Sequence, residues 1–126
     1  VIEATRKGKA AEADATAKTI ADPVARKLAD WVILRSDNTQ PSFQRYAGFL
    51  ETNPSWPHSP LFRRRAENAL GNDRLADASV RGFYAKRQPS TAKGRYMLAR
   101  ARRRRRAGAQ SLARERFQLR CRAARA

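Results

Sequence analysis

One histidine, one cysteine and eleven carboxylates are what this chain offers for catalysis. His58 lies in the turn Pro57-His58-Ser59-Pro60 with no further ligand at helical or turn spacing, so a metal site is not expected. Cys121 stands between Arg120 and Arg122 without a histidine base or a second cysteine, and no thiol chemistry is expected of it. A hydrolase needs two carboxylates about 5–10 Å apart across a cleft. Glu51 and Glu67 come nearest to a pair that loops could bring together. They read instead as surface charges, or as partners for Arg63, Arg64 and Arg65. Gly71, Gly82, Gly94 and Gly108 compose no phosphate-cradling loop. No catalytic residue, metal ligand or cofactor site is therefore assigned.

Two aromatic residues and two arginine groups remain as binding candidates. Trp31 falls within an apolar stripe and is expected in the core. Trp56, held between Pro54 and Pro57, is expected to plug the top of a helix pair. Together with Arg63, Arg64 and Arg65, Trp56 is the candidate contact for a ligand or partner. The run Arg102 to Arg106 has the strongest physical consequence. Five consecutive arginines point all round a helix and leave no face to bury. They suit phosphate binding with marked salt dependence and little specificity.

The elements around these residues read as helices throughout. Residues 1–21 favour helix by propensity but show only Ile2 and Ile20 as large aliphatic side chains beyond the terminal Val1. They are expected to form a solvated helix or partly ordered arm. Asp22-Pro23 is a cap followed by proline at the first helical position, and Val24, Leu28, Trp31 and Val32 form the stripe, widened by Ile33 and Leu34. Ser36-Asp37-Asn38 ends that helix. Pro41-Ser42 opens the next, with Phe43, Tyr46, Ala47, Phe49 and Leu50 inward and Asn53-Pro54 as the stop. Ser59-Pro60 is read as a second cap-plus-proline start, for a helix burying Phe62, Ala66, Ala69 and Leu70 up to Gly71-Asn72. A fourth helix over 73–86 is expected to bury Ala76, Val80, Phe83 and Tyr84. Beyond Pro89-Ser90-Thr91, Ala92, Tyr96 and Ala99 start a fifth. No stretch alternates with period two, so the class is all-α: short antiparallel helix pairs stacked as an α-superhelix or solenoid segment.

Composition sets the outer limits. With 41% hydrophobic and 8% aromatic residues, 126 residues can build one modest core. No run of about 18 apolar residues is present to span a membrane. The start at Val1 suggests a processed or excised piece, its secretory leader absent or already removed. The formal charge of +17 is uneven: residues 95–126 hold twelve arginines against Glu115 alone. The preceding 94 residues carry sixteen basic and ten acidic side chains, a surplus of +6.

The order of blocks between Asp22 and Ala101 resembles one family. Ala29-Asp30-Trp31-Val32-Ile33-Leu34-Arg35, Phe43-x-Arg45-Tyr46-Ala47-x-Phe49-Leu50 and Asn53-Pro54-Ser55-Trp56-Pro57 come first. Leu61 to Glu67, Val80-Arg81-Gly82-Phe83-Tyr84 and Gly94 to Ala101 follow. Over roughly these 80 residues the chain is similar to the soluble lytic murein transglycosylases, in particular the amino-terminal helical domain of α-proteobacterial members. The resemblance implies an α-superhelix of short helices in the periplasm. It also implies peptidoglycan glycan strands as partner, which the parent enzyme cleaves to a 1,6-anhydro product. The acid/base glutamate of that family sits in a separate lysozyme-like domain, so the segment is expected to be inactive alone and to help hold or orient the glycan strand.

The resemblance stops at Ala101. Residues 102–126 are read as an Arg-rich tail of doubtful register, of the kind a GC-rich gene yields out of frame. Contact with another protein chain, or self-association, is a further expectation for an isolated solenoid piece. The alternative reading is a small basic helical protein that binds nucleic acid non-specifically through its Arg-rich tail.

Overall fold

The computed structural model describes residues 1–73 and 75–123, Arg122 by its backbone alone. Among the described residues there are seven α-helices and no strand. They fall into two compact units, Val1–Asp73 and Arg74–Ala126. The expectations that fall on Arg74 and on residues 124–126 lie outside the described residues.

The first unit opens with α1 (Ile2–Arg6) and α2 (Ala10–Lys18). Gly8, at φ +70, makes the turn between them in a backbone region that disfavours a side chain. These helices bury small faces rather than none. Ala4, Ala13 and Ala17 cluster with Ala29 and Ile33 of α3 (Pro23–Arg35), with Val1 and Ile20 packed against them. An alanine face removes little area from water, but it lets helices approach closely.

Asp22 caps α3 as its sequence requires, the side chain accepting from the Ala25 N–H at 2.9 Å. The buried face of α3 differs from the expected stripe. Val24 and Leu28 are 66% and 50% exposed, and Ala29, Ile33 and Leu34 turn inward instead. Apolar residues occur on both sides of this helix, and its alanine neighbours in α1 and α2 select the narrower side. Three hydrogen bonds from two side chains meet the carbonyls at its end: the Thr39 hydroxyl donates to Ile33 O at 2.7 Å, and Arg65 donates to Leu34 O at 2.8 Å and Ser36 O at 2.7 Å.

α4 (Phe43–Thr52) and α5 (Ser59–Ala69) form an antiparallel pair. Ser42 caps α4, and Asp73, just beyond α5, accepts the Phe43 N–H at 2.7 Å, which places the end of α5 beside the start of α4. Phe49 meets Phe62 edge-on at 5.6 Å, and Tyr46 lies 6.1 Å from Phe62. Phe43, Tyr46, Phe49, Leu50, Phe62, Ala66 and Leu70 are buried as their spacing predicts, with Ala47 and Ala69 half-buried.

The start of α5 is not the predicted serine cap. Ser59 is already helical, and the capping position belongs to His58 in the left-handed region at φ 67. The Ser59 hydroxyl turns back to Trp56 O at 2.7 Å. Glu67 is also not a surface charge: it is 1% exposed among these apolar residues.

In the second unit α6 (Asp77–Phe83) is shorter than the predicted 73–86 helix, with Ala76 exposed at its capping position. Val80, Phe83 and Tyr84 are buried. α7 (Ala92–Ala123) is one continuous helix of 32 residues. The two run antiparallel, with Arg81 donating to Ala101 O at 3.2 Å and Arg104 3.8 Å from Asp77. Gly94, Leu98 and Ala101 face inward, while Ala92, Tyr96 and Ala99, the predicted face, are exposed. From Arg102 to Cys121 every residue is exposed. The arginine run continues the helix without a break, its side chains pointing all round as their succession predicts.

Candidate functional site

The predicted contact residues divide by environment. Arg63 and Arg64 are exposed on α5. Arg65 turns inward, donating to Leu34 O, Ser36 O and the Asp37 carboxylate. Its guanidinium therefore fastens α5 to the end of α3. Trp56 is half-buried, meeting Phe49 edge-on at 5.9 Å with the Lys27 ammonium 5.7 Å from its ring centre. This is the expected plug of the helix pair.

Trp31 is half-buried rather than a core residue. Its indole N–H donates to Pro57 O at 3.1 Å, its ring meets His58 edge-on at 5.4 Å, and Arg35 lies over it at 5.1 Å. Trp31 thus holds the 53–58 loop, and with it the left-handed backbone at His58. The His58 imidazole in that loop is exposed. Among the described residues no group of three His, Cys, Asp or Glu side chains could hold a metal ion. Glu51 is exposed and Glu67 buried, so they do not face an open cleft together. Cys121 is exposed on α7.

Sequence reasoning missed a polar cluster that joins three helices. Arg45 donates to Asp14 at 2.6 Å and to Asp30 at 2.7 Å, joining α4 to α2 and α3. Burial works against the charge of Arg45, but its hydrogen bonds to Asp30 and Asp14 outweigh that and hold its pKa above the ordinary value. A cleft of ≈ 390 Å³ borders this cluster, lined also by Lys18 and Arg26. Two carboxylates gripped by one guanidinium form a clamp, not an acid/base pair. Their separations of 15 and 31 residues from Arg45 left no local pattern to read.

Charge divides with the units. Residues 1–73 hold eleven basic and nine acidic side chains, and residues 74–126 hold seventeen basic and two acidic. Within the second unit, a cleft of ≈ 680 Å³ lies between the segment after α6 and the first turns of α7. Lys86, Arg87, Arg95 and Arg102 line it. A second cleft of ≈ 470 Å³ shares Tyr84, Ala85, Leu98 and Arg102 with the first and adds Arg81, Arg105 and Arg106. No carboxylate lines either cleft among the described residues.

No protein-family model, no curated protein and no solved structure matches the chain. No helix among the described residues is long and apolar enough to cross a membrane.

Proposed function

We propose that residues 22–101 are a non-catalytic scaffold segment of a periplasmic lytic transglycosylase. Such a segment helps hold or orient a peptidoglycan glycan strand for a lysozyme-like domain elsewhere in the parent protein. The observation that carries this reading is the ordered resemblance from Asp22 to Ala101, with blocks in family order at family spacing. The all-α make-up supports it, as do the two antiparallel pairs, α4 with α5 and α6 with α7, which are units of the kind an α-superhelix stacks. The exposed Arg63 and Arg64 and the half-buried Trp56 are the contacts that the first unit offers to a strand.

Co-sedimentation with purified peptidoglycan tests the proposal. The expected result is retention of the full chain without release of anhydro-muropeptides, and weaker retention of the Arg63→Ala/Arg64→Ala variant. Both arginines are exposed, so the variant should keep its fold. Absence of retention overturns the scaffold reading, and release of anhydro-muropeptides overturns its non-catalytic part.

A further inference from the structure

The two joined clefts of the carboxy-terminal unit have no use in the scaffold reading, and their chemistry is independent of it. Seven cationic side chains line them, and no described carboxylate lies within ion-pair distance of Lys86, Arg87, Arg95, Arg102, Arg105 or Arg106. Like charges this close raise the energy of the free protein, which an anionic occupant would relieve. Six of the seven are arginines: Arg81 on α6, Arg87 in the segment after it, and Arg95, Arg102, Arg105 and Arg106 on α7. Planar guanidinium groups suit bidentate phosphate contact better than a general cation does.

The shape narrows the occupant. Arg95, Arg102 and Arg106 follow one another at i, i+7 and i+11, along one side of the helix. They span about 16 Å at 1.5 Å per residue, which is a track for several consecutive phosphates rather than one. A flat bilayer cannot enter a cleft, and a duplex is too wide for one of ≈ 680 Å³. Tyr96 lines neither cleft itself, but it is 64% exposed beside Arg95 and Ala99, which line the larger one. An exposed ring next to a basic groove is the arrangement on which unpaired bases stack.

We infer that the clefts between α6 and α7 bind a single-stranded nucleic acid, with Arg95, Arg102 and Arg106 on its phosphates and Tyr96 under a base. The site takes Arg102 and Arg106 from the start of the arginine arm, but it also uses Arg95 on the packed part of α7 and the segment after α6, so it differs from the arm as a whole. Its specificity for sequence is low, since neither contact reads a base edge.

The test is fluorescence anisotropy of the full chain with a fluorescein-labelled oligodeoxythymidylate of about 15 nucleotides. Arg95→Gln/Arg102→Gln/Arg106→Gln should weaken binding at least about tenfold. Arg114→Gln/Arg116→Gln/Arg120→Gln, which removes the same charge from the far end of α7, should weaken it no more than about threefold. All six arginines are exposed, so circular dichroism should not distinguish the two variants. Tyr96→Ala should cost at least about fivefold with the oligonucleotide. Equal losses in the two triple variants would mean charge attraction without a site, and would overturn the inference. So would an unaffected Tyr96→Ala, no binding by the full chain, or displacement of the oligonucleotide by phosphatidylglycerol vesicles.

Discussion

Tyr46 concentrates much of what single residues do in the first unit. Its ring is buried against Phe62, and its hydroxyl points to Leu34 O at 3.4 Å. Burial pushes its pKa above the usual tyrosine value, while Arg65 and Arg45 pull the other way. A group whose folded pKa is raised keeps its proton longer in the folded state, so the unfolded chain ionises first. Stability should therefore fall as pH rises above about 10. Tyr46→Phe should remove part of that alkaline loss while changing neutral stability by no more than about 1 kcal/mol. Urea titrations at pH 7.5 and 10.5 would check it, and an unchanged alkaline loss in the variant would contradict it. Residues with local partners were legible in sequence: Asp22 and Ser42 cap helices within three positions of themselves. Arg45, Arg65 and Asp73 were not, because each finds its partners 15 or more residues away and no spacing announces that.

Among the elements, α2 gives the sharpest contrast between pattern and packing. Its inward residues are Ala13 and Ala17, the first wholly buried, so helix approach rather than buried area holds it. Ala13→Leu should overpack this contact and destabilise the unit by about 1–3 kcal/mol, measured by chemical denaturation. If residues 1–21 were a solvated arm, the same change would be neutral. α5 is the opposite case. Phe62 is 1% exposed and meets two aromatic rings of α4, and Phe62→Ala should cost about 3–5 kcal/mol, lowering the melting temperature of the first unit. Helix pairs built on large side chains were legible from periodicity alone. The faces of α3 and α7 were not. α3 carries apolar residues on two sides, and the inward face of α7 begins with Gly94 and ends with Ala101, residues that hydrophobic patterning passes over.

For the molecule as a whole, charge and contact draw the same boundary. The first unit carries a surplus of +2 and the second +15. The helix from Arg102 to Cys121 has no buried face, so its propensity must outweigh repulsion between arginines three and four apart. Raising salt from 50 to 500 mM should screen that repulsion and slow amide exchange in residues 102–121, while leaving 43–69 unchanged. Exchange mass spectrometry resolves the two segments. Faster exchange in the arm at high salt would show that repulsion does not limit it. The five arginines at 102–106 have a further consequence through their spacing along the axis. One positive charge per ~1.5 Å of helix matches the linear charge density of duplex DNA, about one per ~1.7 Å. This stretch of α7 should therefore draw anions about it as a short polycation does. The buffer anion becomes a competing ligand: chloride, sulfate and phosphate should each leave a different helix behind.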